Sequence, residues 1–265
     1  MDPLRFTDQM GRSVSINYPP RRIISLVPSQ TELLFDLGLD EQLAGITKFC
    51  IHPAAVYKRV TKVGGTKNLK LDKIRDIRPD LIIGNKEEND QSQVEELMKE
   101  FPVWMSDIKD LSDALEMIEQ LGELTATGEH ARGIVSQIEE RFQSLPSYGR
   151  GLNAAYFIWK DPYMLAGPDT FIDDILQRAG LKNVSISSRY PEISPEELRE
   201  LDPDIIFLSS EPYPFKDVHV KEMQRICPAA TVMLVDGEMF SWYGSRLLQV
   251  PEYLRGIHEK INSNY

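Results

Sequence analysis

Four groups of polar and aromatic residues could bind a ligand, and each directly follows a stretch that reads as a strand. Asn85-Lys86-Glu87-Glu88-Asn89-Asp90 follows Asp80–Gly84, and Trp159, Lys160 and Tyr163 follow Asn153–Ile158. Glu211, Tyr213 and Phe215 follow Asp204–Ser209, and Phe240, Trp242, Tyr243 and Arg246 follow Thr231–Asp236. Open α/β sheets bind ligands beyond the carboxyl ends of their strands. Aromatic rings placed there suit a large, flat or amphipathic guest, because a ring offers contact area with little entropy to lose. Two alternatives stay open. Trp159 and Trp242 either face the guest or pack beneath the loops, and Asn85–Asp90 either binds or starts a solvated helix whose acids complement its dipole.

Signatures of catalysis are missing. There is no Gly-x-Ser-x-Gly elbow, and Gly64-Gly65-Thr66-Lys67 lacks the full spacing of a phosphate loop. Pro28-Ser29-Gln30 occupies the turn where a dinucleotide fingerprint would lie. His52, His130, His219 and His258 form no metal spacing with Cys50 and Cys227, and Cys50-Ile51-His52 is too close-set for a structural zinc site. Only His52 is kept among the histidines as a ligand candidate. No catalytic residue, metal ligand or built-in cofactor is assigned, and a binding protein is expected instead of an enzyme.

The 265 residues carry 30 Lys plus Arg against 41 Asp plus Glu, a net charge of −11. That balance opposes nucleic acid as a partner, since phosphate binding needs a basic face. No apolar run reaches the roughly 20 residues of a membrane helix. Met1 to Tyr18 shows no apolar signal core, so the sequence leaves open a cytoplasmic protein or a leader already removed. Cys50 and Cys227 read as free thiols, and a monomer is expected.

Strands at Ile23–Val27, Asp80–Gly84, Val103–Ser106, Asn153–Trp159, Asp204–Ser209 and Thr231–Asp236 alternate with helical stretches, which predicts α/β architecture with parallel sheets. Ser29 and Glu32 have the spacing of a capping box for a helix ending at Gly38. Helical periodicity runs through Ser112–Leu124 and again from Gly128 to Leu145, where Pro146-Ser147-Tyr148-Gly149 breaks it. Leu71–Ile83 also repeats as Pro195–Phe207 at constant offset, with Arg75, Pro79, Asp80 and Ile82 identical to Arg199, Pro203, Asp204 and Ile206. Two similar Rossmann-like lobes joined by one long backbone helix follow: residues 1–127, a helix over 128–146, and residues 147–265. Asp72 and Glu196 occupy equivalent first-turn positions, where they either complement the helix dipole or mark matched docking points.

Thr7-Asp8, Gly11-Arg12, Pro20-Arg21-Arg22-Ile23-Ile24-Ser25-Leu26-Val27-Pro28-Ser29 and Thr31-Glu32-Leu33 resemble the opening of the periplasmic binding proteins for cobalamin and ferric siderophores. Both repeats and the central helix resemble that family too. The resemblance implies a metal chelate, cobalamin or a ferric siderophore, held in a cleft between two lobes and delivered to the permease of an ABC importer from the periplasm or cell envelope. It implies importer docking through Asp72 and Glu196. Cobalamin binders carry flanking tryptophans in the loops matching Gly65-Thr66 and Asn85; this chain has Thr66 and Asn85 there. Trp159, Trp242 and Tyr243 are then the alternative aromatic wall, with Asn85, Glu87 and Tyr163 beside it. Lys67, Arg189 and Arg246 could meet propionamide, carboxylate or phosphate groups, and His52 or Tyr243 could reach a bound metal. A cytoplasmic corrinoid- or metal-handling protein or enzyme on the same scaffold is the rival expectation.

Overall fold

The computed structural model describes residues 3–145 and 151–262, so the expected break at Pro146-Ser147-Tyr148-Gly149 lies outside the described residues. The chain divides into two compact units. The first takes the chain up to Ile108, then Ser112–Ile138 and Tyr243–Arg246; the second takes Lys109–Leu111, Glu139–Trp242 and the chain from Leu247 on. Among the described residues, no helix is long and apolar enough to cross a membrane.

The sheet of the first unit runs Thr61–Lys62, Leu43–Ile46, Ile23–Ser25, Leu81–Asn85, Val103–Ser106, with every neighbouring pair parallel. Ile23–Ser25, Leu81–Asn85 and Val103–Ser106 are buried at every position, as both-face coverage demands, while Thr61–Lys62 forms a polar edge. Ile24, Leu26, Ile74, Ile82, Val94 and Leu97 form the core on one side. Leu43–Ile46 was not anticipated, and two antiparallel hairpins join the fold, Leu4–Thr7 with Ser13–Ile16 and Gly64–Gly65 with Asn68–Leu69. Gly64 has φ 118°, and a Cβ there would lie 2.4 Å from the carbonyl oxygen of Asn68, so this hairpin admits no side chain at its start.

The expected capping box at Ser29 is not formed. The helix spans Pro28–Asp36 with Val27 as its cap. Pro28 explains the shift: it has no N–H to satisfy and its fixed φ suits the first helical position. Thr31 then bonds to the Val27 carbonyl through its N–H at 3.0 Å and its hydroxyl at 2.9 Å, and Glu32 is released for another partner.

In the second unit the order is Met164–Leu165, Asn153–Trp159, Ile205–Ser209, Thr231–Val235, with Lys182–Asn183 paired to the start of Asn153–Trp159. Pairing is parallel except at Met164–Leu165, which is antiparallel. The expected parallel pairing is found, with one antiparallel edge strand added. The few residues after Trp159 are too short for a crossover, so the chain can only turn back. Phe157, Leu165, Leu198, Ile206, Leu208 and Met223 pack one core layer. Elsewhere in the unit, Tyr156 and Phe207 meet Phe240 at ring-centroid distances of 4.9 and 5.8 Å. The two expected central helices are Leu111–Leu124 and Gly128–Gln143. Cys50 and Cys227 are both buried free thiols.

Each copy of the repeat builds the same device. Helices Leu71–Ile77 and Pro195–Leu201 stop at left-handed Arg78 (φ 52°) and Asp202 (φ 44°), and Pro79 or Pro203 prevents continuation. The next residue is an aspartate that clips the neighbouring strand. Asp80 accepts the backbone N–H groups of Arg21 and Arg22, both at 2.8 Å. Asp204 accepts that of Asn153 at 2.7 Å. Reciprocal backbone bonds, Asp80 to Arg22 at 3.0 Å and Asp204 to Asn153 at 2.9 Å, complete each clip. The aspartates therefore set the register between adjacent strands, Ile23 against Leu81 and Ala154 against Ile205.

Candidate functional site

Strand register decides which loops gather at the carboxyl end of each sheet. In the first unit these are Thr47–His52, Val63–Lys67 and the turn after Asn85. Thr47–His52 is tied to the hairpin by the Lys48 N–H donating to the Gly64 carbonyl at 2.8 Å. Thr47 and Cys50 are sealed inside, with the hydroxyl and thiol 3.1 Å apart, and burial pushes the Cys50 thiol up from its ordinary value. Phe49 and Ile51 are left 50% and 47% exposed. The Lys48 ammonium sits 4.9 Å from the Phe49 ring centroid, a cation–π distance. His52 follows, half-buried.

The turn after Leu81–Asn85 is built by two asparagines. Asn85 is 2% exposed. Its Oδ1 accepts the N–H groups of Glu87 (2.8 Å) and Glu88 (3.1 Å), and its Nδ2 donates to Ser106 Oγ at 3.0 Å. Asn89 accepts the Asn85 N–H at 2.9 Å and donates to the Thr66 carbonyl at 3.2 Å. Gly84 permits this approach, since a Cβ there would be 2.6 Å from Asn89 Oδ1. Lys67 closes the ring by donating to the carbonyls of Glu87 and Asn89, the former at 2.5 Å and the latter at 3.2 Å. The amide of Asn85 is thus spent on the turn, and Lys67 bonds that turn through its ammonium.

In the second unit Trp159 is 41% exposed and meets Tyr213 edge-on at 5.7 Å. Tyr213 in turn meets Phe215 at 4.7 Å and His219 at 5.5 Å. Tyr163 donates its hydroxyl to Glu222, which also pairs with Lys160. Burial and then the Glu222 carboxylate push the Tyr163 phenol above its ordinary range. Burial alone would raise the Glu222 carboxyl, but Lys160 and Tyr163 together outweigh it and hold it below. The Arg189 guanidinium lies over the Tyr190 ring at 5.6 Å and donates to the Asp169 carbonyl at 3.2 Å.

The remaining candidates lie inside. Trp242 is 6% exposed and takes the second of the two places left open for it, beneath the loops; its Nε1 donates to Glu211 at 2.9 Å. Ser241 donates to the same oxygen at 3.1 Å. Tyr243 is 6% exposed with its hydroxyl 2.5 Å from Glu88, and burial followed by the Glu88 charge raises its phenol well above the ordinary value. Arg246 is 8% exposed and forks onto Glu32 at 2.9 and 2.7 Å. The structure therefore joins Lys67, Asn85, Glu87 and Tyr243 in one hydrogen-bonded set, with the His52 loop tied to the hairpin. It places Trp159 and Tyr163 with Lys160, Tyr213 and Glu222. Arg246 is committed to the helix Pro28–Asp36. Phe49 and Ile51 were missed because the strand before them was missed.

Burial raises the Glu211 carboxyl, and the bonds from Ser241 and Trp242 offset only part of that. A raised acid keeps its proton in the folded chain after the unfolded chain has lost it, so stability falls as pH rises through that window. Glu211→Gln retains both accepted bonds without the charge. Urea unfolding of this variant should lose the downward slope above the ordinary carboxylate range; an unchanged slope assigns it to another group.

Asp72 and Glu196 are highly accessible, with side chains 97% and 73% exposed. Each pairs with the arginine three residues on, Arg75 at 3.3 Å and Arg199 at 3.1 Å. Arg199 donates to Glu196 and holds its carboxyl below the usual range.

A vitamin B12-binding protein of Pectobacterium carotovorum subsp. carotovorum (strain PC1) is 27% identical over 237 residues, covering 86% of this chain and 85% of the relative. An ABC transporter substrate-binding lipoprotein of Bacillus subtilis (strain 168), itself uncharacterised, is 25% identical over 218 residues, covering 77% and 68%. The crystal structure of the periplasmic vitamin B12-binding protein of Vibrio cholerae shares the fold at TM-score 0.80 and 21% identity, over 92% of this chain and 98% of that one. The periplasmic binding protein family matches residues 23–226, from the first strand of one sheet to the helix before the last strand of the other, and this chain belongs to it.

Proposed function

We propose that this chain is the substrate-binding protein of an ABC importer and that its cargo is a metal chelate, a cobalamin-type corrinoid first and a ferric siderophore second. The observation that carries this is the placement of exposed aromatic surface, Phe49 in one unit and Trp159 with Tyr213 in the other, at the carboxyl ends of both sheets. The name of the relative from Pectobacterium supports the corrinoid, and that of the Bacillus relative supports the importer. Flat macrocycles lose little by stacking on such rings, and a few charge-assisted contacts orient their polar edges.

Lys48, His52 and Glu87 in the first unit, and Trp159, Lys160 and Arg189 in the second, are the side chains we assign to the cargo. Lys67, Asn85 and Tyr243 shape the loops that carry them, and Tyr163 orients Lys160 through Glu222. The protein works as a monomer in the cell envelope, docking on its permease through Asp72 and Glu196. The metal is cargo: it arrives and leaves with the chelate.

A visible-absorbance and calorimetric screen against cyanocobalamin, haemin and a ferric hydroxamate tests the reading. Binding of one of them supports it, and no signal with any of the three sinks it. Trp159→Ala should then weaken the bound chelate by about 1–3 kcal/mol; unchanged affinity removes this ring from the site.

A further inference from the structure

Four residues from near the far end of the chain complete the first unit. Trp242 and Leu247 belong to the second unit, but Tyr243–Arg246 between them belongs to the first. Within this segment the Tyr243 phenol reaches Glu88, 155 positions earlier. Glu88 lies in the middle of the turn whose N–H groups Asn85 collects, and Lys67 and Asn89 bind that turn to the Gly64–Lys67 hairpin. The other bonds described in the set come from within the two loops or from the adjacent strand. Tyr243 is the contribution from the distant segment. Its character fits a fixed anchor, because the ring is buried, its two torsions are confined, and it donates to a charged acceptor, the stronger class of hydrogen bond.

We infer that Tyr243 is a positioning residue: by holding Glu88 it fixes the turn after Asn85 and, through Lys67 and Asn89, the Gly64–Lys67 hairpin, so that both loops stand preformed before cargo arrives. The geometry of the set stands by itself, and only the consequence for cargo rests on the receptor reading. A preformed loop avoids an ordering cost on binding.

Hydrogen exchange of the full-length, cargo-free chain tests this. Tyr243→Phe removes one oxygen and keeps the ring. Exchange in peptides covering 64–69 and 85–90 should rise about tenfold or more, the scale of a lost charge-assisted bond, while Ile23–Ser25 stays protected. Glu88→Gln keeps an acceptor for the phenol without its charge and should fall between the parent and Tyr243→Phe. Glu88→Ala should also raise exchange in these peptides, and the double variant should be no faster than Tyr243→Phe, which has already lost the bond to Glu88. Unchanged exchange in Tyr243→Phe, a uniform rise across the unit, or additive effects in the double variant would each overturn the inference. Cyanocobalamin is the probe for the consequence: if it binds, it should dissociate faster from Tyr243→Phe. If it does not bind the parent, the corrinoid reading fails while the exchange result still decides the role of Tyr243.

Discussion

Arg246→Ala will destabilise the fold by about 3–5 kcal/mol, the scale of stranding one member of a buried ion pair. The side chains of Arg246 and Glu32 are only 9% and 15% exposed, and the guanidinium forks onto this one carboxylate. Removing the arginine leaves Glu32 charged with little water to replace it. Arg246→Lys should fall between parent and alanine, since an ammonium keeps the charge but not the fork. The pair Arg246→Met with Glu32→Gln should recover much of the loss, because the penalty belongs to the uncompensated charge. Urea unfolding measures all four. A loss below about 1 kcal/mol for the alanine variant would mean that Glu32 swings out to solvent.

Replacing both Asp72 and Glu196 by Lys should abolish stimulation of the importer's ATPase while leaving chelate affinity unchanged. Both carboxylates are largely in water, and each stands in the first turn of its copy of the repeated helix. Stability should change little. Arg75 keeps Glu96 and Glu100 as partners at 3.2 and 2.8 Å, and exposed pairs of this kind contribute about 0–1 kcal/mol. Reversing two charges turns attraction for a basic socket into repulsion at both points, so the effect should exceed that of Asn and Gln at the same places. Full stimulation by the double variant removes these acids from docking; loss of chelate binding as well means that the substitutions unfolded the chain.

Apolar runs and punctuation residues made much of the fold readable in advance. Leu81–Ile83 and Ile205–Leu208 are continuous apolar stretches opened by Pro-Asp, and both lie in the middle of their sheets. Leu43-Ala-Gly-Ile46 escaped notice because a short strand with Gly and Ala has neither β-branched enrichment nor alternation. Its loss hid the exposed position of Phe49 and Ile51 beyond the carboxyl end of that strand. Local rules also misplaced the first helix cap, where Ser29 fits the box pattern but Pro28 settles the start. The interior positions of Trp242, Tyr243 and Arg246 were not legible for a different reason. An aromatic or arginine after a strand looks the same whether it faces a guest or a buried carboxylate. The partners of Tyr243 and Arg246 lie 155 and 214 positions away, beyond any periodic signal. The equivalent positions of Asp72 and Glu196 needed no such partner to be read, since the repeat itself aligns them.

The borrowed segment Tyr243–Arg246 has a consequence for biosynthesis. A ribosome has made most of the protein before the residues that satisfy Glu32, Asp36 and Glu88 emerge. Until then the leading half lacks the partners that these three acids take from the segment and is held back from its final state. Chains stopped short of Tyr243 should thus be cleared by proteases even though they encode every strand of the first sheet.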